Sequence, residues 1–298
     1  MEPGLALSTR YDVTPVPFEP LPVAIRVFAV PSTVEKEERE ERKVSRKRRE
    51  PQRSLVFDTE TTTDASQRLN FGIWRYYVDR RTGLPGKFCV EEGIFYADDL
   101  PERYPEGFAV LLRYVETHES DVAPGRDTRL QFLSRSEFVE KAIWRKAHEH
   151  RATVVGFNLP FDLSRLAISS SETRRRKGRT TMVGGHSLRL FENERYRLRV
   201  DWKSVDSKRT LMSFTTAHGA TDPTRGHFLD LRTLSFALTD RGHSLESACG
   251  AFGVPYEKRP VVHGTITEEY VTYCREDVQA TAKLYTAAVA EYRRHPID

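Results

Sequence analysis

The sequence predicts an α/β fold in which helices flank a mixed β-sheet. Residues 54–57 and 153–157 are short apolar runs of strand length, and each is followed by polar residues or by a segment with helical spacing. Residues 70–78 and 87–95 are rich in aromatic and β-branched side chains and flank a Gly/Pro turn at 81–86. A meander followed by alternating strands and helices predicts both antiparallel and parallel pairing within one sheet.

The helices are predicted from their caps. Ser134 and Glu137 form a capping-box pattern, and apolar residues with helical spacing follow it. Pro160 fits the first turn of a second helix, and Thr267 can cap a long helix that runs to about Arg293. Residues 245–252 are predicted to be a short helix ended by Gly253, and residues 227–234 a strand. The segment 106–118 fits a helix or a strand equally well.

The chain divides into two parts, and the second contains an insertion. Residues 1–53 are proline-rich and then highly charged, which predicts a partly disordered arm and linker. Residues 54–298 form the predicted domain. Within it, 171–226 is rich in glycine, arginine and short β-like pieces, which predicts a basic, β-hairpin-rich insertion.

Composition excludes several classes of protein. The 298 residues carry a formal net charge of only +4, so bulk charge does not indicate a nucleic-acid binder. The 3 cysteines have neither disulfide nor zinc spacing, which favours a reducing compartment. Neither a membrane-spanning stretch nor a secretory signal is evident, so we expect a soluble, cytoplasmic protein without membrane contacts.

Acidic residues stand at the edges of three apolar segments. Asp58 and Glu60 follow the first strand and project from the same face because strand side chains alternate. Asp162 lies at the start of a helix, where the helix dipole favours negative charge. Tyr273 and Asp277 are four residues apart and share one face of the last helix.

Bringing these carboxylates together would raise their pKa values and destabilise the fold unless a cation neutralised them. Magnesium and manganese prefer oxygen ligands, and two ions about 4 Å apart can stabilise both the attacking and the departing oxygen of a phosphoryl transfer. Taken singly, an Asp-x-Glu pair or a Tyr-x-x-x-Asp pair arises by chance or caps a loop. All of them in this order, each in its appropriate element, favour a site with two Mg²⁺ or Mn²⁺ ions.

These segments resemble the three motifs of the DEDD 3′–5′ exonucleases, which have a ribonuclease H-like fold. Residues 57–61 resemble the first motif, residues 158–162 the second, and Tyr273 to Asp277 the tyrosine form of the third. The histidine form would place histidine where Thr272 stands, so the chain resembles the tyrosine (DEDDy) subclass. Within it, the proofreading domains of family B DNA polymerases are most similar. The resemblance covers roughly residues 54–292.

The resemblance implies roles for the motif residues. Asp58, Glu60 and Asp277 would bind the catalytic metal, with Asp58 bridging to the second ion, and Asp162 would act largely through metal-bound water. Tyr273 would orient the attacking water, since a tyrosine near neutrality is too weakly basic to be the general base alone. The expected product is a nucleoside 5′-monophosphate.

Substrate contacts are expected beside these motifs. The resemblance implies that Thr61 and Asn158 contact the substrate. Phe161 can stack on a terminal base or pack in the core. The basic run in the insertion can bind a phosphate backbone or form a solvated hairpin face, and so can the alternating Arg195, Arg197 and Arg199. In that run, the predicted substrate contacts are Arg174, Arg175 and Arg176.

The leading functional hypothesis is a metal-dependent 3′–5′ exonuclease that acts on single-stranded or frayed 3′ ends of DNA. A second hypothesis is an RNA-trimming exonuclease of the same chemistry, because nothing in the sequence reads the 2′-hydroxyl. A third is a catalytically idle nucleic-acid-binding module of a replication or defence assembly. The insertion matches the family only loosely, and the chain has no room for a polymerase after the third motif. A polymerase or another assembly subunit is therefore a candidate protein partner, in addition to the nucleic acid.

Overall fold

The centre of the fold is a six-stranded mixed β-sheet, seen here in a computed structural model of the chain. Its strands are β1 (Arg53–Thr61), β2 (Leu69–Asp79), β3 (Lys87–Tyr96), β4 (Gln131–Ser134), β5 (Thr153–Gly156) and β10 (Phe228–Asp230), in the order β10-β5-β1-β2-β3-β4. The structure describes residues 52–79, 87–173, 182–193, 197–216 and 228–294, all within the unit Lys47–Asp298. The predicted α/β fold with a mixed sheet is confirmed at this level.

Strands β1, β2 and β3 form the predicted antiparallel meander. Strands β5 and β10 run parallel to β1 on its other side, and β4 runs parallel to β3. The carboxyl ends of β1, β5 and β10 therefore meet at one edge of the sheet. This edge is where ligands bind in open α/β sheets.

Helices pack on this sheet. They are α1 (Leu100–Arg103), α2 (Pro105–Thr117), α3 (Arg135–Phe138), α4 (Leu159–Leu166), α5 (Leu231–Thr239), α6 (Leu245–Ala251) and α7 (Glu268–Arg294). The ambiguous segment 106–118 is thus helical. Ser134 and Glu137 form the predicted capping box, and α3 passes directly into a π-helical segment, Val139–Glu149, which the sequence did not indicate.

The two faces of β1 bury different partners. Phe57 packs against Phe138 of α3, with ring centroids 5.6 Å apart. Side chains of the alternate set face α7 instead, since Glu60 accepts hydrogen bonds from Tyr270 and Cys274 of that helix. Leu55, Val56 and Phe57 are almost completely buried, so the end of β1 is anchored in the core from both sides.

The described part of the insertion is a second, antiparallel sheet. It consists of β6 (Ser169–Glu172), β7 (His186–Arg189), β8 (Leu198–Ser204) and β9 (Thr210–Thr216), in that order. Strands β7 to β9 were predicted, whereas β6 is four exposed polar residues and carries no strand signal. Arg174, Arg175, Arg176 and Arg195, the 81–86 turn and nearly all of the 1–53 arm lie outside the described residues.

The predicted strand at 227–234 is wrong beyond Asp230. Helix α5 begins at Leu231 because the Asp230 carboxylate accepts hydrogen bonds from the Thr233 backbone N–H at 3.0 Å and from its hydroxyl at 2.7 Å. Such an N-cap supplies an acceptor for a free backbone N–H of the first turn. Among the described helices, none is long and apolar enough to cross a membrane.

Candidate metal centre

The first two carboxylates lie at the end of the central strand. Asp58 and Glu60 belong to β1, where they pair in register with Ile73 and Phe71 of β2. The register shifts immediately after Glu60, so the regular ladder ends at this residue. The alternation of strand side chains places both carboxylates on the face covered by α7.

The third carboxylate comes from helix α4. Asn158 precedes this helix with φ of +76°, a left-handed conformation that turns the chain sharply from β5 into α4. Asp162 is 2% exposed, and its Oδ1 accepts hydrogen bonds from the Thr59 hydroxyl at 2.7 Å and from the Thr59 backbone N–H at 3.3 Å. Its Oδ2 is also buried but makes no hydrogen bond among the described residues. One oxygen therefore ties α4 to β1, and the other is left for a further partner.

Helix α7 contributes the fourth carboxylate and a row of hydrogen-bond donors. Tyr273 and Asp277 lie one turn apart and both are buried. Tyr270 and Cys274 lie on the same side of the helix, and both donate to Glu60: the Tyr270 hydroxyl to Oε2, and the Cys274 thiol to Oε1 at 3.1 Å. The helix face predicted from Tyr273 and Asp277 therefore also includes Tyr270 and Cys274.

The segment between α6 and α7 covers this edge of the site. The hydroxyl of Tyr256 donates a hydrogen bond to Asp277 Oδ1. His263 places Nδ1 3.2 Å from the Tyr270 hydroxyl. Gly264 has φ of +86°, and a Cβ at this position would lie 2.8 Å from the Thr63 side chain just beyond β1. Glycine thus allows the close approach that brings Tyr256 and His263 to the carboxylates.

The electrostatics indicate that the four acids converge. Burial raises the pKa of Asp58 well above its ordinary value, and the charges of Asp162, Glu60 and Asp277 raise it further. Burial also raises the pKa of Asp162 to about 8, despite the hydrogen bonds from Thr59. The pKa values of Glu60 and Asp277 are raised too, first by burial, although the Tyr270 and Tyr256 hydroxyls oppose the shift.

None of these four acids forms an ion pair with Lys or Arg in the described part of the chain. Over those same residues, no group of three or more His, Cys, Asp or Glu side chains is already arranged to hold a metal ion. The hydrogen bonds explain this, because Glu60, Asp162 and Asp277 direct oxygens towards Tyr270, Thr59 and Tyr256 instead of towards a common point.

The donor set nevertheless fits a hard divalent cation. It supplies carboxylate oxygens from β1, α4 and α7, including the unpaired Asp162 Oδ2, in a place where negative charge is disfavoured. Asp58, Glu60, Asp162 and Asp277 are therefore the residues that could hold Mg²⁺ or Mn²⁺.

The expected substrate residues lie around the same edge. Thr61 ends β1 and is half-buried. Phe161 is half-buried and lies outside the hydrophobic core, with the Arg165 guanidinium 4.8 Å from its ring centre, so the core interpretation of Phe161 is wrong. Arg197, in the insertion, pairs with Glu140 at 2.9 Å, which favours a structural role for it.

Asp230 was left out of the predicted metal set, and its hydrogen bonds explain why it belongs elsewhere. Its Oδ1 accepts from the backbone N–H groups of Asn158 at 2.9 Å and Leu159 at 3.0 Å, while Oδ2 accepts from Thr233. One buried carboxylate thus joins β10, α4 and α5. Asp230 therefore positions the turn that carries Asp162, and its charge also raises the pKa of Asp162.

Sequence reasoning missed several residues of the centre. Tyr270 and Cys274 carried a usable signal, because they lie three residues before Tyr273 and Asp277 and so share their helix face. Tyr256 and His263 carried none, since irregular segments have no periodicity. His263 lies in this irregular segment, yet it contacts the Tyr270 hydroxyl.

Comparison with known proteins leaves the centre to be interpreted from its geometry. No protein-family model matches the chain, and a search of curated proteins gave no match either.

Proposed function

We propose that this chain is a metal-dependent 3′–5′ exonuclease of the DEDDy type on a ribonuclease H-like sheet. The substrate would be single-stranded or frayed DNA ends, and the products nucleoside 5′-monophosphates. One observation supports the proposal: β1, α4 and α7 bring Asp58, Glu60, Asp162 and Asp277 into one buried neighbourhood, where the charges of the other three acids raise the pKa of Asp58. The motif resemblance, with each motif in its expected element, supports the reaction type.

Each residue then has a task. Asp58, Glu60 and Asp277 would hold the divalent cations together with Asp162, whose Oδ2 has no hydrogen-bond partner among the described residues. Bound Mg²⁺ or Mn²⁺ would neutralise the substrate phosphate and make a water nucleophilic at neutral pH. Thr59 holds Asp162 in position through two hydrogen bonds.

Tyr273 would position the attacking water. Its hydroxyl is buried, and burial followed by the charge of Asp277 raises its pKa far above the neutral range. The hydroxyl therefore stays protonated during the reaction, so Tyr273 acts as a hydrogen-bonding group and not as the general base. Asp277, one helical turn away, lies close enough for its charge to raise this pKa.

The test is cleavage of 5′-labelled oligonucleotides, with DNA and RNA in parallel, in Mg²⁺ or Mn²⁺. We expect a ladder that shortens from the 3′ end. Asp58→Ala and Asp277→Ala should each lower the rate by more than about a hundredfold, since even an outer-shell partner of a metal ligand is worth 10- to 100-fold. Wild-type rates in either variant would refute the assignment, and faster cutting of RNA would favour the trimming reaction.

A second candidate function is a catalytically idle nucleic-acid-binding module of a larger assembly, for example with a polymerase subunit. One observation favours it: Tyr256 and Tyr270 already donate hydrogen bonds to Asp277 and Glu60. Oligonucleotide binding without shortening, at any concentration of Mg²⁺ or Mn²⁺, would favour this candidate over the exonuclease.

A further inference from the structure

A cavity of about 360 Å³ opens beside the first turn of α4, between that helix, the β8–β9 hairpin and the first turn of α5. This volume is at the lower end of what small-ligand sites have, and it suits one nucleotide better than a larger molecule. The residues that matter in its wall are Asn158, Phe161, Trp202, Asp206, Lys208 and Arg232.

The charged groups of this wall favour an anion. Arg232 is half-buried and Lys208 exposed, and within the described chain neither forms an ion pair. The nearby acid is already neutralised, since Asp206 binds Arg209 at 2.6 Å and accepts the backbone N–H groups of Lys208 and Arg209 at 2.9 Å. Lys208 and Arg232 therefore line the cavity beside two carboxylates, Asp206 and Asp230, whose oxygens already accept hydrogen bonds from protein donors.

The aromatic groups of the wall favour a planar ring. Trp202 is partly exposed and stacks on His186, with ring centroids 4.9 Å apart and a 24° angle between the planes. The Trp202 Nε1–H is buried and makes no hydrogen bond among the described residues, so it is a donor without a partner. Phe161 lines the opposite wall on α4. The aromatic rings and the free donor match the base of a nucleotide, and the two cations match its phosphate.

The cavity adjoins the candidate metal centre through one helix turn. Phe161 and Asp162 are consecutive, and successive side chains of a helix point about 100° apart. Asp162 is turned towards β1 and Phe161 towards the cavity. A strand cut beside Asp162 would therefore pass directly into the cavity. Because an exonuclease of this polarity holds one nucleotide on the 3′ side of the cut, the strand in the cavity is the 5′ side.

We infer that this cavity binds a nucleotide of the single strand on the 5′ side of the scissile phosphate. Trp202 stacks on the base, while Arg232 and Lys208 contact the phosphate. This inference rests on the proposed exonuclease function. It adds the insertion sheet to the substrate site and makes strand binding tolerant of sequence, because every base presents a face for stacking.

Binding tests the cavity without cleavage. The probe is a fluorescent single-stranded oligothymidylate, titrated by anisotropy with the full chain in EDTA. We expect Trp202→Ala to raise the Kd by at least about fivefold and Trp202→Phe to restore most of the affinity. Arg232→Gln should lower the slope of log Kd against log salt by about one. Lys203 follows Trp202 in β8, so its side chain points to the opposite face of the strand. Lys203→Gln is therefore the matched control for Lys208→Gln, and the Lys203 variant should bind like wild type.

Kinetics separate this inference from the proposed function. The p-nitrophenyl ester of thymidine 5′-monophosphate has only nitrophenol on the 5′ side of its phosphorus, so Trp202→Ala should lower kcat/KM for the oligonucleotide by a larger factor than for this ester, whereas Lys203→Gln should leave both values unchanged. Equal Kd and kcat/KM values for wild type, Trp202→Ala and Arg232→Gln would overturn the cavity assignment and leave the exonuclease standing. A chain that hydrolyses neither substrate would refute the exonuclease, while the Kd comparison would still decide whether the cavity binds the strand.

Discussion

Helix α7 carries two clusters of buried charge that lie side by side and differ in one respect. Around Arg275, every charge has its opposite: Glu92 is fully buried and binds both Arg275 and Arg75 at 2.9 Å. Around Asp277, two residues further along, four carboxylates meet, and no Lys or Arg of the described chain pairs with them. The first cluster has complete internal partners, whereas the second does not.

The difference separates structural charges from functional ones. A buried ion pair with good geometry holds elements together, here β2, β3 and α7. Like charges gathered in a buried place oppose folding, and perturbed groups of this kind are typical of functional sites. The Arg275 cluster should therefore control stability, while the Asp277 cluster should control the response to metal ions and substrate.

The largest expected effect is in the paired cluster. Glu92→Gln leaves Arg275 without its counter-charge and Arg75 with only Asp121, 3.2 Å away, so we expect the free energy of unfolding to fall by about 3–5 kcal/mol. Urea denaturation measures it. A loss below about 1 kcal/mol would mean that the ion pairs of Glu92 are no stronger than surface salt bridges. The Arg275 cluster would then not control stability, and the difference from the Asp277 cluster would disappear.

The acid cluster should make stability depend on pH in an unusual direction. Because its pKa values are raised in the folded state, its contribution to stability is fully present below the ordinary carboxyl pKa and is lost as the pH rises, through about 8 for Asp162. The melting temperature in EDTA should therefore fall between about pH 5 and pH 8, and Mg²⁺ should restore it by at least about 2–4 °C at the upper pH. A melting temperature that rises over this range in EDTA would contradict the raised pKa values.

Removing one charge should relieve the same cluster. Asp162→Asn keeps an oxygen to accept from Thr59 but removes the charge, so the metal-free protein should gain about 1 kcal/mol or more of stability. Thermal unfolding at about pH 8 measures it, and the gain should vanish near pH 4. Asp206→Asn, at an exposed turn, is the control, and it should lose a little stability instead.

Smaller effects are expected from the tyrosines. Tyr273→Phe should lower kcat by less than about a hundredfold, because the metal ligands remain and only the positioning of water is impaired. The pH profile of kcat should keep its shape, since Tyr273 stays protonated. A loss as large as that of Asp58→Ala would mean that Tyr273 has a role in holding the metal or substrate.

The smallest change tests the hydrogen bond that occupies Glu60. Tyr270→Phe removes the donor to Glu60 Oε2, so Mn²⁺ should bind a few times more tightly. Calorimetric titration measures the affinity. Weaker binding in this variant would mean that Tyr270 holds Glu60 in its metal-binding position instead of competing for it.

The extent of sequence-based prediction differs between these two clusters. The acids at 58, 60, 162 and 277 stand at the ends of apolar runs or on a helix face, so strand and helix periodicity placed them in the correct elements. Glu92 and Arg75 lie within strands that also carry other charges, and nothing in the sequence indicates that they meet Arg275. Long-range pairs of this kind follow from tertiary packing, which local patterns do not encode.

The errors have similar physical causes. Residues 227–234 are apolar enough for a strand, but Asp230 stops the strand and caps a helix. The donors Tyr256 and His263 lie in an irregular segment positioned by Gly264, whose left-handed conformation only the structure reveals. Phe161 was open between core and surface because helical spacing alone leaves both faces of a short helix possible.

Binding of Mn²⁺ to the full chain tests the central claim most directly. We predict that calorimetric titration of wild type at about pH 7.5 gives two bound ions with release of protons, because Asp162, whose pKa is raised to about 8, is partly protonated before binding. Asp58→Asn should lose at least one ion, whereas Glu276→Gln, an acid on α7 that pairs with Arg259, should bind like wild type. Absence of Mn²⁺ binding in wild type, or equal binding in Asp58→Asn, would contradict the account.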